Sequence, residues 1–158
     1  MDSIYLDIET RYFFGKTHYV TIVGFYHEET GLRQLIWPDI DADSLTEALP
    51  PARCIYSYNG DNFDLPMIRS ELGLDLRESY ISRDLMRDCR LNGLRGGLKS
   101  VEQKLGIVRS QTPLENMEIQ DCWSRWKHRN DDDALARLLK YNEDDVMNLI
   151  ELRRKLGI

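Results

Sequence analysis

Runs of β-branched and aromatic residues mark the first third of the chain, and a helical spacing of apolar residues marks its tail. Ser3–Glu9, His18–His27 and Leu32–Trp37 read as strands, the second carrying Val20, Ile22, Val23 and Phe25. Gly15 and the Glu28-Glu29-Thr30-Gly31 segment supply turns, so the simplest arrangement is an antiparallel meander. A short helix follows from Ser44 and ends at Pro50-Pro51. Arg53–Tyr58 reads as a fourth strand, Asn62–Leu72 as a helix stopped by Gly73, and Tyr80–Ser82 as a short fifth strand leading into a helix over Arg83–Leu91. Leu98–Leu105 is a further short helix with Gly106 as its C-cap. In the tail, Leu135, Leu138, Leu139, Val146, Leu149, Ile150 and Leu152 fall at helical intervals within Asp133–Leu156. Strands come first and then alternate with helices. That order predicts an α/β fold: a mixed five-stranded sheet, antiparallel first and parallel later, flanked by helices.

At 158 residues, 42% hydrophobic and 30% charged, the chain has the balance of one globular domain spanning 1–158. The longest near-apolar run, Tyr19–Tyr26, is far short of the ~20 residues of a membrane helix, and Met1-Asp2 does not open a signal peptide. Cys54, Cys89 and Cys122 form no C-x-x-C pair, so a reducing cytoplasmic setting is expected, with no membrane partner. The net charge of −6 argues against a protein that coats nucleic acid. It leaves room for an enzyme acting on phosphodiesters, where carboxylates gather around cations that restore the positive field.

Three acidic segments carry candidate chemistry. Asp7 and Glu9 lie two apart on the first strand and share a face, while Ile8 points into apolar packing. Alone, the pair reads as a strand end leaving the sheet for solvent, but held together the two acids need a cation between them. In Tyr58-Asn59-Gly60-Asp61-Asn62-Phe63-Asp64, Gly60 permits a turn, Asn62 can cap the helix, and Asp64 falls in its first turn. Helix capping and metal ligation both remain open for Asp64 on this segment. Tyr141 and Asp145 share a face of the last helix at i and i+4, beside Val146, Leu149 and Ile150. A buried aspartate there must be paired or metal-bound, whereas Glu143 reads as solvated. Asn130-Asp131-Asp132-Asp133 reads as a turn and N-cap, and Trp123 and Trp126 as one packed helix face.

These segments stand in the order D-x-E, N-G-x-N-F-D, Y-x3-D, and together they resemble the DnaQ-like (DEDD) 3′→5′ exonuclease superfamily in its DEDDy subtype. Tyr58 to Pro66 is similar to the second exonuclease motif of family B DNA polymerase proofreading domains. Gly97 to Glu102 and Tyr141 to Leu149 are similar to YprB-like predicted exonucleases. The resemblance spans Asp7 to Leu152. It implies a ribonuclease H-like fold and a two-metal-ion hydrolysis of phosphodiester bonds at the 3′ end of single-stranded DNA or RNA. It implies that Asp7, Glu9, Asp64 and Asp145 hold two Mg²⁺ or Mn²⁺ ions, with Asp7 bridging them, and that Tyr141 orients the attacking water. A helicase, polymerase or repair protein is the expected kind of partner.

Substrate contacts are read from the residues themselves. Thr10 follows the acid pair and can donate to a terminal nucleotide, and Phe63 either stacks on a base or packs in the core. Asn59 is placed to bond a nucleic-acid backbone or a strand-end carbonyl. The tract from Arg83 to Arg109, including Arg95 and Lys99, carries a local excess of positive charge beside Gly93, Gly96 and Gly97. It either tracks a phosphate backbone or forms a solvated helix face. Two other functions are kept in view: a structure-specific endonuclease on the same fold, and a nucleic-acid-binding or scaffold module without turnover.

Overall fold

The computed structural model describes residues 2–158; Met1, the first residue of the expected domain, lies outside the described residues. Strands β1 (Ser3–Phe13), β2 (Lys16–His27), β3 (Gly31–Ile36), β4 (Cys54–Ser57) and β5 (Ile81–Asp84) form one five-stranded sheet in the order β3-β2-β1-β4-β5. β1, β2 and β3 pair antiparallel, and β4 and β5 join in parallel. This is the mixed sheet expected from the residue pattern.

β1 is the central strand, and its alternation divides the molecule. Ile4, Leu6 and Ile8 turn to one face. There they pack with Val23, Phe25 and Ile55 beneath helices α1 (Ala42–Ala48) and α2 (Asp64–Leu72). Tyr5 faces the other way, into a second core with Tyr56, Tyr58, Val146, Leu149 and Leu152. That core is closed by α3 (Leu85–Leu91), α4 (Leu98–Leu105) and the long α6 (Asp132–Leu156). Helix α5 (Asn116–Arg129) packs Trp123 and Cys122 against Leu138 and Tyr141 of α6 in a third cluster. Asp7 and Glu9 therefore lie on the α6 side, because they alternate with Ile8.

Several boundaries differ from the residue pattern, each for a local reason. β1 and β2 run beyond Glu9 and back from His18, because Phe14 (φ 51°) and Gly15 (φ 69°) form a two-residue turn. The fifth strand continues through Arg83 and Asp84, which were expected in the following helix; pairing of Arg83 with Tyr56 and Asp84 with Ser57 overrides the local preference. Asp84 then caps α3 by accepting from Met86 N–H at 3.0 Å. Helix α2 starts at Asp64 and not Asn62. The Asn62 amide donates to Asn59 Oδ1 at 3.2 Å, so it caps nothing, and Phe63 takes the cap position. Asp131 N-caps α6 as expected, accepting from Ala134 N–H at 3.1 Å.

Helix α6 crosses the sheet at one tight contact. Gly24 of β2 is the partner of Asp7, and a Cβ there would lie 2.0 Å from Asn142 Oδ1. The missing side chain lets the fully buried Asn142 descend onto the sheet. Its amide donates to Asp7 C=O and Asp7 Oδ2, both at 3.2 Å. Gln34 of β3 fixes it from the far side, donating to Asn142 Oδ1 at 3.0 Å and to Leu139 C=O at 2.7 Å. Gly24→Ala is therefore expected to lift α6 and destabilise the fold by about 1–3 kcal/mol, as overpacking does. Denaturant unfolding measures this, and a change below about 0.5 kcal/mol, the scale of an ordinary surface substitution, would contradict the contact's assigned importance.

Candidate active site

β1 delivers Asp7 and Glu9 to the end of the sheet, and α6 brings Asp145 across to meet them. One carboxylate oxygen from each of the three lies within 4.8 Å of the others. Asp64 arrives from the other layer, at the first turn of α2, just after β4 ends. Its Oδ2 accepts the Ile8 N–H at 3.1 Å, so one oxygen is committed to the backbone of β1. Asp64 thus ties α2 to the central strand, a role that neither of the two possibilities left open for it described.

Electrostatics follow from burial. Glu9 is 8% exposed and its Oε1 is sealed from solvent with no hydrogen-bond partner. Burial, then repulsion from Asp145, Glu9 and Asp64, pushes the Asp7 carboxyl well above the ordinary carboxylate range. Glu9 is raised likewise by burial and by Asp145 and Asp64. Burial lifts Asp64 to about 7 against the pull of two backbone N–H groups. Asp145 rises to about 6 through burial, even with Arg109 favouring its charged form. Buried acids this close stay ionised together only beside a strong positive charge.

Arg109 is the built-in cation. Its Nε and Nη2 donate to Glu102 at 2.9 Å each, and Nη2 also bonds Asp145 Oδ1. The guanidinium is 6% exposed and Glu102 2%, with Asn148 donating to Glu102 at 2.9 Å. Arg109 was expected in a basic surface tract; it is instead buried in an ion-paired network that orients Asp145. Ser110 reinforces the loop by bonding Asp144 Oδ1 through its hydroxyl at 2.7 Å.

A cleft of about 280 Å³ opens on these acids, lined by Asp7, Tyr58, Gly97, Lys99, Tyr141 and Asp145. Tyr141 is 7% exposed, and its ring lies between Lys99 Nζ at 4.7 Å and Arg109 at 5.3 Å. Burial and the neighbouring acids raise its phenol far above the ordinary value, so the hydroxyl keeps its proton. Lys99 faces the cleft while donating to Leu114 C=O at 2.7 Å. Arg95 is exposed on the loop before α4, where the Tyr58 hydroxyl holds Gly96 C=O at 2.6 Å. Thr10 follows Glu9 at a bulge in the β1–β2 ladder, and its C=O accepts from Gln120 at 3.1 Å. Asn59 sits in a left-handed turn (φ 61°) with its N–H donating to Asp84 at 2.8 Å, a backbone-shaping role. Phe63 is 38% exposed, so it is not the core residue that its apolar character allowed.

Sequence reasoning missed the buried pairing of Arg109 with Glu102, and missed Asn142 and Gln34. Asn142 stood inside the quoted acidic turn, but nothing in the spacing announced its partner Gly24.

A family model described as RNase_H_2, of the RNase_H superfamily, matches residues 4–157. The chain belongs to the RNase H superfamily. Its fold is that of a ribonuclease H-like domain, with the mixed sheet and flanking helices described above. Among solved structures, the family B DNA polymerase from the hyperthermophilic archaeon Pyrobaculum calidifontis is similar, with a TM-score of 0.71 and 18% sequence identity. That match covers 98% of this chain and 24% of the polymerase chain, so this chain spans about a quarter of the polymerase's length. No curated protein matches the chain in sequence.

The ribonuclease H-like site fits a divalent cation on its own chemistry. Its donors are hard carboxylate oxygens, Glu9 Oε1 has no partner, and the acids lack sufficient countercharge. Because the Asp64 and Asp145 carboxyls are raised, their contribution to metal-free stability is full below the ordinary carboxylate range and is lost as pH rises through about 6 to 7. The melting-temperature gain from Mn²⁺ is expected to be small at acidic pH, to grow through that window and to level off above it. Melting curves across the window, with and without Mn²⁺, check this; a gain independent of pH would contradict it. Arg109→Ala is expected to cost about 3–5 kcal/mol by leaving Glu102 unpaired, and Glu102→Gln in the same chain should recover part of the loss in denaturant unfolding.

Proposed function

We propose that this chain is a metal-dependent 3′→5′ exonuclease of the DEDDy type, acting on single-stranded DNA or RNA ends. The observation that carries the reading is the convergence of Asp7, Glu9 and Asp145 within 4.8 Å, with Tyr141 on the wall of the same cleft. Asp7, Glu9, Asp64 and Asp145 are the residues that would hold Mg²⁺ or Mn²⁺. Divalent cations held there would supply water activation and neutralisation of the charge that builds on the phosphate and the leaving oxygen.

The remaining work falls to protein side chains. Tyr141, protonated through the neutral range, donates a hydrogen bond and aligns the attacking water; it is not a general base. Lys99, facing the cleft beside that ring, meets the phosphate. Asn142 holds the Asp7 carboxylate through its amide, and Arg109 holds Asp145, so two acids are oriented before substrate arrives. Thr10, next to Glu9 on β1, and Phe63, next to Asp64, are assigned to the terminal nucleotide, Phe63 through its exposed ring.

Incubation of 5′-labelled single strands with Mn²⁺ tests the reading. A ladder shortening from the 3′ end is expected; one internal cut would instead support a structure-specific endonuclease, and binding without cutting a non-catalytic module. Asp145→Ala is expected to abolish hydrolysis. Tyr141→Phe should slow it about 10²–10³-fold, as loss of one aligned hydrogen bond does, while Mn²⁺ affinity measured by calorimetry stays near wild type. Collapse of metal affinity in that variant would assign the tyrosine to structure.

A further inference from the structure

The β1–β2 hairpin projects past the carboxylates and ends in a turn that is unfavourable on two counts. Phe14 occupies the left-handed region at φ 51°, where a bulky residue is an outlier, and it is 96% exposed. Asn-Gly is the preferred pair in such a turn, and Phe-Gly stands there instead. The ring contributes nothing to the core, so within the fold its conformational cost is offset in part by its edge contact with Phe13. Beside it, Phe13 stacks on His18 with ring centres 3.7 Å apart and lies edge-on to Phe14 at 5.4 Å.

Between this hairpin and α5 lies a cleft of about 410 Å³ lined by Arg11, Phe13, His18, Tyr19, Trp123 and Lys127 among others, with no carboxylate in its wall. Arg11 lies over the Phe13 ring at 5.1 Å, and Lys127 over Trp37 at 4.5 Å and Tyr19 at 5.2 Å. His18 Nε2 is shielded from solvent and has no hydrogen-bond partner. In a chain of net charge −6, this is an acid-free wall of alternating cations and rings. Gln120 of α5 braces it, accepting from Tyr12 N–H and Arg11 and donating to Thr10 C=O.

We propose that the hairpin tip and this cleft are a second nucleic-acid contact, engaging the single-stranded chain several nucleotides away from the end held at the carboxylates. Phe14 offers its exposed ring face to an unpaired base, Phe13 is held beneath it by the His18 stack, and Arg11 and Lys127 meet phosphates. The occupant is single-stranded because only unpaired bases present faces for stacking. Phe13 lies four residues beyond Glu9 on the same strand, about 13 Å of extended backbone, so one continuous strand reaches both places. The inference rests on the exonuclease reading and extends its substrate contacts.

The test compares wild type with Phe14→Asn, binding labelled oligothymidylates of about 3 and about 12 nucleotides with Ca²⁺ in place of Mg²⁺. Phe14→Asn gives the turn its preferred residue and is expected to melt at a higher temperature. It should nevertheless bind the longer strand about tenfold more weakly, the scale of one lost base stack, with less than a twofold change for the shorter one. Lys127→Ser should lower the salt slope for the longer strand by about one unit. The inference is overturned if wild type gains no affinity with length, or if the variant loses none or loses it equally for both lengths. Failure of the exonuclease reading registers separately, as wild type releasing no nucleotides from a 3′ end in Mn²⁺.

Discussion

Repulsion among buried carboxylates is the constraint around which this molecule is arranged. Asp7, Glu9, Asp64 and Asp145 are brought to one sheet end with burial that disfavours their charge, and the Arg109 guanidinium answers it from one side only. An apolar core of the same volume would be more stable. Protons complete the charge balance as pH falls, and the hard oxygen donors of the cluster suit divalent cations in the same place.

The scaffold holds the acids against that repulsion through contacts outside the cluster. β1 lies in the middle of the sheet, with β2 and β4 bonded to its two edges, so the strand carrying Asp7 and Glu9 has little freedom. Asp64 is bound to Ile8 N–H, and Asn142 reaches Asp7 through the space that Gly24 leaves. Glu102 and Asn148 fix Arg109, which in turn orients Asp145. Asp7, Asp64 and Asp145 are thus each restrained by a neighbour that a metal ion need not displace, while Glu9 is placed by its strand. Such restraint lowers the reorganisation required when charge shifts in a transition state.

The net negative charge of the chain conceals its distribution. Arg109, read from the sequence as part of a basic tract facing either phosphate or solvent, is held in an internal ion pair, while Lys99 faces the cleft. Arg11 and Lys127, which bond Gln120 and the Tyr19 hydroxyl, come from segments that are far apart in sequence and meet aromatic rings where the β1–β2 hairpin packs on α5.

Much of the fold was legible in the sequence because its signals are local. The β-branched run of β2, the stops at Gly73 and Gly106, and the apolar spacing of α6 each report a preference that the final packing respects. Asp7, Glu9, Tyr141 and Asp145 were legible because two fixed periods, two on a strand and nearly four on a helix, set shared faces before any packing is known. The rest was decided by tertiary structure. Whether Arg83 and Asp84 join a strand or a helix depended on a vacant edge of β4. Whether Phe63 is buried depended on where α2 begins, which the turn at Asn59 sets. The partners Gly24–Asn142, Asp64–Ile8 and Arg109–Asp145 join residues far apart along the chain, and no periodicity relates them. Local pattern determines which way a side chain points from its own backbone; only the packing of one element on another determines what it meets there.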